Sequence, residues 1–362
     1  MITGPNNLKR RLATRLMSSA RLRRVANRLC LEALAREPDA TREDRIRNWR
    51  AFEPFYALTR SRLVDNPMWR YGPKFVHATA LKSFSHVERH GSLQGKRILE
   101  IGCGEHHPLG TVTALYLNGA ASCTATDRQP TDERRAAVAL FDLLVDCLAF
   151  PDEWHWSGAR DDFLSRIHEF DLKALARGDL LAGVATAPIR HVVTDLNQPT
   201  IAPGTIDVML SRAVLEHLVD FERANRMLYS LLATGGLAYH LIDLVDHRAY
   251  GASSGFHWWS FLEEDDQWTG GGRYNRLRYG DYLAHFEKAG FQILEAAPAD
   301  TARMPAGFRQ KLAGRFASMT DDELAIIRME CVLRKAEGQA VARRERAVPH
   351  TPPATALPSG AK

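Results

Sequence analysis

The chain has 362 residues, 45% of them hydrophobic and 25% charged, with a formal net charge of +5. That composition excludes a disordered or fibrous chain and is enough for one large globular domain with appendages or two small ones. Five cysteines (Cys30, Cys103, Cys123, Cys147, Cys331) are odd in number, scattered and without a Cys-x-x-Cys pair, which argues for buried thiols in a reducing compartment and against a disulfide frame or a zinc site.

Residues 1–50 form a basic leader, holding 13 Lys or Arg against 5 Asp or Glu, so the rest of the chain is slightly acidic. Before Glu32 there is no acid at all, and Leu8, Leu12, Leu16, Leu22, Val25 and Leu29 recur at helical spacing. This predicts a basic amphipathic helix that either lies on an anionic membrane surface or packs one stripe on the main domain. The expected location is cytoplasmic, with peripheral contact at the inner face of the membrane through this helix. No secretory signal follows the start, and the longest uncharged run, His106 to Thr126, reads as helix plus strand rather than a membrane span. Residues 51–95 are expected to form a helical cap carrying an aromatic cluster, in which Trp69 and Tyr71, flanking Arg70, are candidate walls of an acceptor pocket.

The run Arg97 to Glu105 is an apolar strand breaking into a glycine turn at Gly102 and Gly104, and 23 residues after Gly104 a second short strand ends on Asp127. Glycines there permit a sharp turn and close approach of a ligand, and a carboxylate at the next strand end is placed to accept hydrogen bonds from both hydroxyls of a ribose. A dinucleotide fingerprint would carry a third glycine three residues after Gly104, where this chain has His107. Asp127 is followed by a long connection, about 128–189, with helical patterning over Ala136–Phe150 and Asp161–Ala176, broken at Pro151. It reads as an inserted helical piece.

Three further segments follow in order. Arg190 to Leu196 is an apolar strand closing on Asp195. Ile206 to Leu218 is a buried strand opening into a helix through Leu215-Glu216-His217-Leu218. Leu231 to Asp243 is a helix stopped by Gly235-Gly236 and leading into another strand. With the glycine loop, these four ordered segments resemble the class I methyltransferases that use S-adenosylmethionine, over roughly residues 70–336. The resemblance implies a doubly wound α/β fold, a seven-stranded, mostly parallel sheet of Rossmann-like methyltransferase type, with the domain proper at 96–336. It also implies S-adenosylmethionine as cofactor, held by Glu100, Gly102, Cys103, Gly104, Asp127, Asp195, Leu196 and Ser211. Two other classes stay open: an NAD(P)-dependent Rossmann oxidoreductase, which would leave the later matches unexplained, and a non-catalytic scaffold of the same fold.

Beyond the cofactor motifs, His240-Leu241-Ile242-Asp243-Leu244-Val245-Asp246-His247 ends the fifth strand at the carboxyl edge, where parallel sheets expose their ligand crevice. A histidine oriented by a carboxylate suits deprotonation of an acceptor hydroxyl, so His240 with Asp243, or His247, is the expected base, with His217 as a further candidate. His240, Asp243, Asp246 and His247 are also of the types that bind a divalent ion such as magnesium or manganese, but no metal is assigned, because no second carboxylate cluster is evident. Arg276 and Arg278 are candidate clamps for a phosphate or carboxylate on the acceptor. The aromatic run Trp258-Trp259-Ser260-Phe261 and Asn275-Arg276-Leu277-Arg278 resemble uncharacterised bacterial methyltransferases near glycan or envelope biosynthesis. The expected reaction is methyl transfer to a hydroxyl oxygen, with nitrogen as the second choice, of a small or glycan-linked acceptor. With the basic residues concentrated in the leader, nucleic acid is not the expected partner.

After the helix Tyr282–Ala289, stopped at Gly290, strands are expected at Phe291–Leu294 and Met329–Arg334, the last inserted antiparallel. Arg303–Ala325 between them is expected to add one or two helices, and residues 337–362, rich in Pro and Ala, to be disordered.

Overall fold

The structure is a computed structural model and describes residues 72–196, 200–250, 255–265 and 267–336. The basic leader, most of the expected cap including Trp69 and Tyr71, and the tail at 337–362 lie outside the described residues. In chain order the regular elements are α1 Pro73–Glu88, β1 Arg97–Ile101, α2 Gly110–Leu117, β2 Ser122–Asp127, α3 Glu133–Ala149, α4 Pro151–Trp154, α5 Arg160–Ile167, α6 Leu172–Arg177, α7 Leu180–Gly183, β3 Ile189–Val193, β4 Ile206–Arg212, α8 Phe221–Leu231, β5 Leu232–Asp243, α9 Tyr279–Ala289, β6 Phe291–Thr301, α10 Asp321–Ala325 and β7 Ile326–Lys335. No described helix is long and apolar enough to cross a membrane.

The seven strands form one sheet in the order β3-β2-β1-β4-β5-β7-β6. The first four pairings are parallel, and β7 inserts antiparallel between β5 and β6. The order reverses between β1 and β4, and at that switch the carboxyl ends of the strands open a crevice. Both faces of the sheet are covered, which is why β1 and β4 read as continuous apolar runs rather than alternating ones. On one face Ile98, Ala125 and Leu210 pack with α1, α2, α3 and the inserted helices. On the other, Leu99, Ile101, Met209 and Ile242 pack with α8 and α9. A smaller cluster, with Val245, Trp259, Phe261, Leu262, Phe316 and Ile327, sits under the loops that follow β5 and β6.

The insertion is built as a second helical layer. Buried Trp154 donates from its indole to Asp146 at 2.9 Å, and its carbonyl accepts from Asn118 Nδ2 at 2.9 Å, tying α4 to the end of α2. The expected helix over Asp161–Ala176 is two helices, because the Asp171 side chain accepts from the amides of Lys173 and Ala174 and so caps a new start. Two other expectations shift. The helix before β5 ends at Leu231, ahead of the glycines, which lie inside the extended segment; a Cβ on Gly236 would press on backbone oxygens of Ala233, Asp207 and Ile206. After β4 the chain does not enter an α-helix. Ala213 adopts φ +52°, a left-handed conformation rare for a residue with a Cβ, and a single 3₁₀ turn, Leu215–His217, follows. Likewise Arg303–Ala325 holds two 3₁₀ turns, Arg309–Lys311 and Gly314–Ser318, and only the short α10.

Candidate functional site

The glycine loop leaves β1 with Gly102 at φ +67° and Gly104 at φ +72°. A Cβ on Gly102 would overlap Val214, so this glycine is required for the loop to lie against the turn that carries Glu216 and His217. Gly104 is different: nothing stands within 4 Å of where its Cβ would be, so the backbone borders open space. Asp127 closes the far side. Its carboxylate accepts from the amide of Gly104 and from that of Gln129, each at 3.0 Å. Asp195 and Leu196 follow β3 at the same edge, where Thr194 donates to the Asp127 carbonyl at 2.9 Å. Asp195 is exposed and Leu196 half-buried.

Glu100, the penultimate residue of β1, is buried, and its Oε2 has no hydrogen-bond partner. Burial pushes its carboxyl up to about 7, with Thr111 and the charge of Arg212 opposing. Cys103 packs partly buried against the core, and burial raises its thiol well above the ordinary range, so it is an inert filler of the loop. His107 stands where a third dinucleotide glycine would be. Its two ring nitrogens are shielded from solvent, burial lowers its pKa to about 4, and its ring fills the space beside Gly110. That leaves no room for the close helix–pyrophosphate approach of a dinucleotide site.

A methyltransferase-domain family profile matches residues 68–296, more than half of the chain. The chain belongs to this methyltransferase family. Among solved structures it is similar to an S-adenosylmethionine-dependent methyltransferase from Mesorhizobium loti (16% identity, 69% of this chain and 95% of that one covered, TM-score 0.37). It is also similar to geranyl diphosphate methyltransferase in complex with S-adenosylmethionine (13%, 84% and 94%, TM-score 0.40) and to the [4+2]-cyclase SpnF (14%, 74% and 81%, TM-score 0.38). No curated protein sequence matches. As a methyltransferase of this fold, the protein takes its methyl group from S-adenosylmethionine, and the dinucleotide alternative is not favoured.

In this methyltransferase a polar cluster stands at the ends of β4 and β5. The Leu215–His217 turn is fixed by Asn275, whose Nδ2 donates to the carbonyls of Leu215 and Leu218 at 2.7 and 3.1 Å and whose amide donates to that of Glu216 at 3.0 Å. His217 Nδ1 lies 2.9 Å from the Arg273 carbonyl. A carbonyl only accepts, so Nδ1 is the donor in this contact. His247, on the 3₁₀ turn His247–Tyr250, faces His217 with ring centroids 4.8 Å apart. Its Nε2 stands 3.8 Å from both Glu216 Oε1 and Asp243 Oδ2. Tyr250 donates to Asp243 Oδ2, and Arg328 Nε lies 3.6 Å from Oδ1. Tyr274 borders both histidines, each at 5.6 Å. Burial, with the neighbouring Asp243 charge, holds Glu216 well above the usual carboxylate range, and burial with the neighbouring His217 lowers His247.

The structure thus brings together Asp243, His217 and His247, and adds Glu216, Tyr250, Tyr274 and Arg328, which sequence reasoning passed over. The signal for Glu216 was present in Leu-Glu-His-Leu, but it is the left-handed Ala213 and the 3₁₀ turn after it that set Glu216 beside His247.

Four expected site residues are displaced from these roles. His240 is fully buried on the opposite face of the sheet, with Nδ1 2.7 Å from the Ser211 hydroxyl and its ring stacked on Phe286. Burial lowers its pKa to about 3, so it neither reaches an acceptor nor takes its proton at neutral pH. The same contact engages the Ser211 hydroxyl, which is buried with His240 rather than open at the strand end. Arg276 and Arg278 are no clamp either. Arg276 donates to the carbonyls of Phe261, Glu264 and Asp265, and Arg278 to those of Leu244, Leu324 and Ile326. Both are internal staples that satisfy buried loop carbonyls. Asp246, the other acid of the segment, is fully buried and bound by Arg248.

Proposed function

We propose that this methyltransferase methylates a hydroxyl oxygen of a small or glycan-linked acceptor. One observation carries the proposal: two carboxylates, Glu216 and Asp243, and two histidines, His217 and His247, cluster next to the turn that packs on the glycine loop through Val214 against Gly102. The cradle fits the cofactor. The orphaned Glu100 Oε2 suits a cationic amino acid, the open backbone at Gly104 admits a ligand, and Asp127 is the carboxylate for the ribose hydroxyls. Gly102, Cys103, Asp195 and Leu196 complete the expected binding edge. When bound, the cofactor supplies an electrophilic methyl carbon on a sulfonium.

An alcohol is a weak nucleophile at neutral pH, so the chain has to align it and remove its proton as the carbon–oxygen bond forms and the carbon–sulfur bond breaks. The proton passes into the pair formed by His247 and Asp243. Glu216 and His217 orient the oxygen, and Tyr250 and Arg328 hold Asp243 in place. Exposed Tyr250, whose ring lies 5.1 Å from that of His247, offers a flat face on which a sugar or other ring stacks.

The test is release of S-adenosylhomocysteine with matched panels of hydroxyl and amine acceptors. Turnover is expected with hydroxyls. His247→Asn is expected to lower kcat by about 100-fold or more while leaving cofactor Kd unchanged. Turnover confined to amines, or an unaffected His247→Asn enzyme, contradicts the proposal.

A further inference from the structure

We infer that Glu216, His217 and His247 form a binding site for one divalent transition-metal cation of the zinc type. One carboxylate oxygen from Glu216 and one imidazole nitrogen from each histidine all lie within 4.8 Å of one another. Ligand atoms around such an ion sit about 3–3.5 Å apart, given metal–ligand bonds of about 2.0–2.2 Å. The 3.8 Å between His247 Nε2 and Glu216 Oε1 is therefore close to a coordinated separation, and small side-chain rotations close the rest.

The state of each side chain points the same way. Glu216 is 5% exposed, and neither of its carboxylate oxygens has a hydrogen-bond partner. A buried carboxylate left in that condition is costly, and such groups pair with charges or coordinate metals. The second acid, Asp243, is already served by Tyr250 and Arg328, whereas the only ion-pair partner of Glu216 among the described residues is His247. His247 Nε2 is buried and without a hydrogen bond. His217 donates Nδ1–H to the Arg273 carbonyl, the outer contact that orients a ligating imidazole and leaves Nε2 free to bind. Asn275 fixes the backbone of Glu216 itself, so two of the three donors stand on one clamped turn.

Two imidazoles and one carboxylate suit a borderline cation; magnesium prefers an all-oxygen shell. Three protein ligands leave a coordination position open, the arrangement of catalytic rather than structural sites. In its use this inference rests on the proposed hydroxyl methylation. The cation binds the acceptor oxygen and acidifies its hydroxyl, and the proton moves to Asp243 in place of His247 as oxygen attacks the methyl carbon.

The experiment uses the full chain, stripped by chelator dialysis and titrated with cobalt(II), whose visible absorption reports ligand geometry, and with zinc by calorimetry, both without S-adenosylmethionine. The site predicts one ion per chain. Glu216→Gln and His247→Asn, each checked for folding by circular dichroism, are expected to weaken cobalt binding at least tenfold, and Asp127→Ala to leave it intact. Chelated protein is expected to bind S-adenosylmethionine normally. Cobalt bound at less than one equivalent, or with equal affinity by both variants, overturns the site. Stoichiometric cobalt binding with no hydroxyl turnover upholds the site and contradicts the methylation reading. Full turnover in chelated protein that takes up no cobalt does the reverse.

Discussion

His240 and His247 lie seven positions apart, yet their surroundings give them opposite chemistry. His240 is sealed between the sheet and Phe286, and burial lowers its pKa to about 3, below the ordinary value of an unfolded chain. The unfolded chain therefore binds more protons across the window from about pH 6.5 down to 3, so this histidine's contribution to stability is complete above that window and lost as pH falls through it. His240→Phe is expected to preserve kcat within about twofold while leaving the Ser211 hydroxyl unpaired, at a cost of about 1–3 kcal/mol. It is also expected to remove about 2 kcal/mol of the stability difference between pH 7.5 and pH 5, measured by urea unfolding at both. A collapse of kcat at unchanged cofactor affinity would restore His240 as the base. In the sequence the residue had every mark of one, a histidine three residues before an aspartate at a strand end. Alternation along β5 puts it on the other face of the sheet from Asp243, and period two was the clue that decided it.

At the scale of elements, α1 is fastened across the edge strands by one carboxylate. Glu295 accepts two hydrogen bonds from Arg89, at 2.8 and 2.7 Å, one from His90 at 2.8 Å, and one from His86 at 3.1 Å. A register shift in β6 between Ile293 and Glu295 turns that side chain toward the helix. Arg89 chiefly, with the two histidines, holds the Glu295 carboxyl well below the usual range. Its folded pKa is depressed, so the stabilisation is present above the ordinary glutamate value and lost as pH falls below it. Glu295→Gln is expected to cost about 1 kcal/mol at pH 7, the modest figure due to a partly exposed group, and to flatten the acid limb between pH 5 and 3. An unchanged acid limb would mean that α1 is held by its apolar face alone. Neither the bulge nor the splitting of the Asp161–Ala176 helix was legible in the sequence, since both depend on single residues, Glu295 and Asp171, overriding a regular pattern. The buried parallel strands were legible because both faces of that sheet are covered and their apolar runs are continuous.

At the scale of the whole molecule, topology assembles the site from segments far apart in the chain: the loop after β1, the ends of β2, β4 and β5, and Tyr274 and Arg328 from the later connection and β7. The cofactor half was legible because turn glycines and a strand-end carboxylate carry their geometry in local sequence. The acceptor half was legible only in part. Glu216 acquires its place from the unusual backbone of Ala213, and Arg276 and Arg278, outwardly a pair of anion clamps, turn inward because the loops over the smaller core cluster leave buried carbonyls to be satisfied. The central claim is that the crevice between Gly104 and Asp127 is a cofactor site, and calorimetric titration with S-adenosylmethionine tests it most directly. The native chain is expected to bind one equivalent, and Asp127→Ala to lose about tenfold to hundredfold or more in affinity, as expected for the loss of charged hydrogen bonds worth about 1.5–3 kcal/mol each. Absence of binding by the native chain, or equal binding by Asp127→Ala, would contradict it.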